Sequence, residues 1–262
     1  MGIFIRLFGS LRILDGAGVT IRLPTRKSEA LLAYLVASQG ELASREVLSD
    51  LLWPFSGPDQ ARASLRQEVS VLRKALGPGH AANVVSQGDG LAFDQTDGMV
   101  DLWQVRNLEA NSIAIPASSE ALTHYEGPFL GTFRSGSQPY SDWVWAMRQS
   151  LEATALKLCT AALQQAIAGG DENSAEQTAN HLCRIDPSYE PAHCALIETH
   201  LGRGEIHLAK RQLRQCEADL KRLLDAEPSA STQALTRRLE EDPPNSATPA
   251  TAQAPPLISD AT

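Results

Sequence analysis

A chain of 262 residues with 43% hydrophobic and 21% charged residues has an ordinary globular make-up, at a length where one core commonly divides into two. No apolar run approaches the ~18 residues of a membrane span, and no charged N-terminal region precedes an apolar one, so membrane and secreted classes are set aside and the cytoplasm is expected. The net charge of −8 is uneven: residues 1–107 hold 11 Lys+Arg against 11 Asp+Glu, residues 108–262 hold 12 against 20, and an N-terminal nucleic-acid surface is not excluded.

Residues 3–23 alternate in apolar character (Ile3, Ile5, Leu7; Leu11, Ile13; Val19, Ile21, Leu23), which predicts short antiparallel strands with a turn at Asp15-Gly16-Ala17-Gly18. Arg26 and Lys27 then precede a helix carrying Ala30, Leu31, Leu32, Tyr34, Leu35 and Val36 and stopping near Gly40. Ser44 is placed to cap a second helix, with Arg45 just inside it and Val47, Leu48, Leu51, Leu52 and Trp53 as its apolar face. Pro54-Phe55-Ser56-Gly57-Pro58 breaks the chain, and Asp59 is read as the cap of a third helix over residues 59–76. Val84-Val85, Gly88-Asp89-Gly90 and Leu91-Ala92-Phe93 predict a hairpin.

The third helix has two faces. Ala61, Leu65, Val69, Leu72 and Leu76 form one apolar stripe at ~100° per residue. Arg62, Arg66, Gln67, Ser70, Arg73 and Lys74 lie opposite, and these side chains neutralise phosphates or read base edges in a major groove. Arg62 and Arg66 are the candidates nearest the bases, the competing arrangement being surface ion pairs with Asp59 or Glu68. Gln67 and Ser70 are candidate base readers, and Arg73 and Lys74 are candidate phosphate contacts. Arg26, Lys27 and Arg45 are placed to meet the DNA backbone, helped by a helix N-terminus. The hairpin tip Ser86-Gln87-Gly88-Asp89-Gly90, with Ser86, Gln87 and Gly88 as the candidate wing residues, carries no Arg or Lys, so it can offer only Gln and backbone N–H to a phosphate.

Residues 111–119, around Pro116, read as a linker, and beyond about Glu120 the chain is almost wholly helical. Gly170-Asp171 and Gly204-Glu205 recur after 34 residues, as do Ala175 and Ala209, and Leu182 and Cys216; this is the spacing of tetratricopeptide helix pairs. Flanking helices at about 141–168 and 229–240 serve as caps. Residues 242–262, rich in Pro, Ala, Ser and Thr, are expected to be disordered. The fold class is therefore α+β at the N-terminus, a winged helix with an extra N-terminal sheet, followed by an all-α tetratricopeptide-like array. The divisions are 1–107, 108–240 and a tail or linker over 241–262.

Phe8-Gly9-Ser10-Leu11-Arg12-Ile13, Leu31-Leu32-Ala33-Tyr34-Leu35, Leu51-Leu52-Trp53-Pro54 and residues 61–76 resemble the winged-helix domain of antibiotic-regulatory-type (SARP) transcriptional activators. Tyr125-Glu126-Gly127-Pro128-Phe129-Leu130, Trp143 with Arg148, Ile185-Asp186-Pro187 with Glu190, Gly204, and Glu227-Pro228-Ser229 with Thr232 resemble the bacterial transcriptional activator domain that follows it. The resemblance implies a DNA-binding activator whose partners are double-stranded DNA and RNA polymerase, the loop Pro54-Phe55-Ser56-Gly57-Pro58 facing polymerase. A homodimer on DNA is compatible with it, as is a small-molecule or peptide ligand of the helical domain. The alternative is an interaction scaffold or ligand sensor whose DNA-binding part is degenerate.

No enzyme, cofactor or metal site is expected. G-x-S-x-G, H-E-x-x-H and phosphate-loop motifs are absent, and the pairs His181/Cys183 and His193/Cys194 have the wrong helical spacing to chelate zinc. Cys159, Cys183, Cys194 and Cys216 form no C-x-x-C pair and read as small buried thiols.

Overall fold

The computed structural model describes residues 2–94, 98–110 and 125–241. The 111–119 linker and the 242–262 tail lie outside the described residues. Two three-stranded sheets, nine α-helices and one short 3-10 helix (Ala81–Asn83) are seen among those residues. In the first sheet, β1 (Ile3–Arg6) pairs antiparallel with β2 (Arg12–Leu14) and parallel with β6 (Gly98–Val100), so that Ile5 faces Ile13 on one side and Val100 on the other. The alternation read from the sequence buries Ile3, Ile5 and Ile13 on one face.

The strand expected over 19–23 is not formed. Asp15 organises a tight turn, its Oδ1 accepting from the N–H groups of Ala17 and Val19, and pairing beyond it is one bridge, Leu14 to Thr20. Val19 is exposed, and Pro24 with the cap Thr25 turns the chain into α1 (Arg26–Ala37) before a ladder develops. The central strand β1 takes β6 on its other side.

α1, α2 (Arg45–Leu52) and α3 (Pro58–Leu76) follow, then the hairpin of β4 (Val84–Gln87) and β5 (Gly90–Phe93). A two-residue strand β3 (Ala43–Ser44) pairs with β5, completing the order β3-β5-β4 of a winged helix. Ser44 caps α2 as expected, its side chain accepting from Val47 N–H, but Val47 itself is exposed. Asp59 is not the cap of α3. The helix starts one residue earlier at Pro58, whose fixed φ and missing N–H suit the first helical position, with Gly57 at the cap.

α4 (Asp101–Ala110) follows β6, and five helices form the array: α5 (Gln138–Gly169), α6 (Glu172–Ile185), α7 (Glu190–Gly202), α8 (Ile206–Leu224) and α9 (Ala230–Glu241). The 34-residue period is real in space. Gly170 and Gly204 both adopt left-handed φ (69° and 72°) at the turns, and Ala175, Ala209, Leu182 and Cys216 are all buried. Cys159 is buried too, but Cys183 and Cys194 are half-buried. The expected flanking helices are α5 and α9.

One hydrophobic core runs without interruption from Ile3 to Leu196. Its central seam is residues 125–133. Phe8 bridges Phe129, Leu130 N–H donates to the Leu7 carbonyl at 2.7 Å, and Gly9 N–H donates to the Pro128 carbonyl at 3.0 Å. A Cβ at Gly131, whose φ is +41°, would sit 2.7 Å from the Gly9 carbonyl oxygen, so the close approach requires glycine. Arg148 of α5 donates to the carbonyls of Phe129 and Gly131. Trp143 packs on Tyr34, Phe129 and Tyr140, and the Tyr140 hydroxyl donates to the Ala30 carbonyl of α1 at 3.0 Å. Asp101 joins β6 to β1: its buried carboxylate accepts the N–H groups of Leu7, Phe8 and Leu102 at 2.7–2.9 Å.

Candidate nucleic-acid interface

The apolar stripe of α3 is buried as its period predicts: Ala61, Leu65, Val69, Leu72 and Leu76. That fixes the opposite face outward. Arg62, Arg66, Gln67, Ser70 and Lys74 are exposed along it, with Arg62, Arg66, Ser70 and Arg73 at i, i+4, i+8 and i+11. From residue 62 to 74 this face is about 18 Å long at 1.5 Å per residue, matched to a major groove.

The ion pairs that would neutralise this face are not made. Glu68 turns the other way and accepts hydrogen bonds from Thr25 and Ser28 at the start of α1. Asp59 makes no ion pair with either arginine. Among the described residues, Arg62, Arg66 and Lys74 have neither an ion pair nor a side-chain hydrogen bond.

Arg73 differs. Its guanidinium donates to the Val84 carbonyl at 3.1 and 2.6 Å and to the Ser86 hydroxyl at 2.9 Å. Ser86 is also reached by Arg45, at 3.4 Å, while the Arg45 backbone N–H donates to the Asp89 carbonyl at 2.9 Å. The N-terminus of α2, the last turn of α3 and the hairpin are thus joined through one hydroxyl. Between them lies an open groove of about 270 Å³ lined by Arg45, Arg66, Val69, Ser70 and Arg73, three of these five residues being cationic. The sequence shows Ser86 as a polar hairpin residue and Arg73 as one more cation; that they meet is a tertiary fact without a local signal.

The cations at α1 are not free of the fold. Arg26 and Lys27 are the first two residues of α1, not a segment before it, because Thr25 caps the helix by accepting from Ser28 N–H at 2.9 Å. Lys27 reaches the Leu52 carbonyl at the end of α2 and lies 5.6 Å from the Trp53 ring centroid. Burial lowers its pKa, opposed by the Glu68 charge. Arg26 lies over the Phe133 ring at 5.6 Å and within 4.0 Å of Glu29. At the hairpin tip Gln87 and Gly88 are exposed. The loop Pro54-Phe55-Ser56-Gly57-Pro58 presents Phe55 at 95% exposure, the most exposed of the large apolar side chains described.

Replacing Arg73 by alanine or by lysine is expected to destabilise the fold by about 1–2 kcal/mol, because either change removes the fork that holds two acceptors of β4. Thermal melts check this; equal melting temperatures for wild type and both variants would refute it.

Residues 104–240 match the family described as bacterial transcriptional activator domain, and residues 18–90 match the family described as transcriptional regulatory protein, C terminal. The chain is 36% identical over 92 residues to the regulatory protein AfsR of Streptomyces coelicolor, an alignment that covers 35% of this chain and 9% of AfsR. Its fold is similar to that of Mycobacterium tuberculosis EmbR, solved with a low-affinity phosphopeptide: the TM-score is 0.62 at 23% identity, over 91% of this chain and 65% of that one. The chain therefore spans less than two thirds of either relative. No described helix is long and apolar enough to cross a membrane.

Proposed function

The chain belongs to the bacterial transcriptional activator domain family, in the SARP-type arrangement with a winged helix ahead of it, and on that premise we propose that it binds operator DNA through α3 and activates transcription. One observation carries the reading: the outward face of α3 holds Arg62, Arg66, Gln67, Ser70 and Lys74 without side-chain partners among the described residues, beside a cleft where Arg45 and Arg66 converge. In this reading Arg62 and Arg66 meet bases or phosphates near the start of the helix, Gln67 and Ser70 read base edges, and Lys74 with Arg45 neutralises phosphate. Arg73 acts through the hairpin it holds. Arg26 flanks the contact, while Lys27 serves the fold. Ser86, Gln87 and Gly88 approach the backbone without adding charge.

The interface is tested by salt titration of operator binding with the full chain. Four neutralised phosphates give a slope of about −3.6 in log K against log salt, and Lys74→Ala is expected to reduce that slope by about one unit. Undetectable binding at low salt would overturn the reading.

RNA polymerase is the proposed second partner, through the loop that presents Phe55. An aromatic side chain standing clear of the surface suits a seat in a partner's pocket. Phe55→Ser is expected to lower promoter output about tenfold and leave operator affinity unchanged; loss of operator affinity instead would refute the loop's assignment. Binding as a pair of chains on repeated half-sites, in the cytoplasm, completes the proposal and is read from the stoichiometry of the shifted complex.

A further inference from the structure

A pocket of about 310 Å³ opens where the core seam meets the helical array, remote from the cationic face of α3 in sequence and lined by a different set of residues. Tyr125, Glu126 and Gly127 form one wall; His181, Arg184 and Ile185 of α6 form the other. We propose that this pocket binds a small molecule through its carboxylate or phosphate group, held by Arg184 and His181.

The donors are defined by elimination. Arg184 Nη2 lies 3.1 Å from His181 Nδ1, and a guanidinium has donors alone, so Nδ1 is the acceptor and carries no proton. The proton of the neutral ring therefore sits on Nε2. That atom is buried, and it has no hydrogen-bond partner among the described residues, in a residue 8% exposed. An N–H left so is costly, and a bound acceptor would remove the cost. Burial, reinforced by the Arg184 charge, lowers the His181 pKa, which keeps the ring neutral and the tautomer as drawn.

Arg184 is exposed at the pocket and makes no ion pair among the described residues. The carboxylate in the opposite wall, Glu126, is paired with Arg6 at 3.2 Å, which blunts its repulsion of an anion. The volume matches the small end of ligand sites, a metabolite-sized molecule. No space for water adjoins Nε2, so seating the acceptor requires a tilt of the imidazole about χ2, a broad torsion for histidine.

The test uses the full chain with inorganic phosphate and with succinate as separate probes. A saturating concentration of the matching probe is expected to raise the melting temperature by about 5 °C. Arg184→Gln abolishes that rise, and Arg45→Gln, in the cleft beside α3, retains it. The 15N resonance of His181 Nε2 moves with the same probe. A response to phosphate alone identifies a phosphorylated ligand, and a response to succinate alone identifies a carboxylate. No rise with either probe overturns the proposal, as does a rise that survives Arg184→Gln or vanishes with Arg45→Gln. None of these outcomes bears on DNA binding, which is measured separately.

Discussion

Asp101→Ala is expected to destabilise the protein by about 3–5 kcal/mol, the largest effect of any single polar substitution considered. Three backbone N–H groups, of Leu7, Phe8 and Leu102, converge on this one buried carboxylate. Each donor left unpaired in the core costs about 1–3 kcal/mol, and water can recover part of that. Urea unfolding gives the number directly; a loss below about 1 kcal/mol would show that the turn after β1 finds other acceptors. The same carboxyl has a pH signature. Burial pushes its pKa up to about 6, against the three N–H groups and the Arg6 charge, which favour ionisation. A folded pKa above the unfolded value of 3.8 means that the folded state holds the proton longer. Its contribution to stability is therefore complete below about pH 4 and is lost as the pH rises through about 6. Asp101→Asn lacks that component, so the stability gap between wild type and Asp101→Asn is expected to narrow across this window; a gap that widens would refute the assignment.

Arg66→Ala is expected to weaken operator binding by about 1–3 kcal/mol, roughly 5- to 150-fold, and to relax the preference at one base position if the contact is to a base edge. Because Arg66 is exposed and engaged with no other described side chain, folding stability should change by less than about 0.5 kcal/mol. That separates it from Arg73, where loss of affinity and loss of stability are expected together. A gel-shift series on operator variants decides it, and unaltered affinity on every variant would remove Arg66 from the interface.

What the sequence makes legible is whatever has a period. The stripe Ala61, Leu65, Val69, Leu72 and Leu76 names its own buried face, and by subtraction the exposed one. The recurrence of Gly170 at Gly204 and of Ala175 at Ala209 marks the array's turns and close contacts. Local chemistry was enough to place Ser44 as a cap. It failed at Asp59, where two signals compete: a good capping side chain and a proline one residue earlier that prefers the first helical position. Pairings between distant segments leave no local trace. β6 is three residues long, Gly-Met-Val, and becomes a strand because β1, some ninety residues earlier, offers it an edge. Likewise charge was visible in Lys27 and Arg73 but direction was not, and both turn inward onto backbone carbonyls.

The uninterrupted core from Ile3 to Leu196 packs the winged helix and the first helices of the array into one unit. The Tyr140 hydroxyl on Ala30 and the Arg148 fork on Phe129 and Gly131 belong to both at once. Such a unit has no part that can be detached from its frame, and the energy that loosens or tightens α5 is felt at α3, the helix proposed to face DNA. On the proposed function, operator affinity thereby becomes a property of everything built on that interior, open to tuning from any point along it.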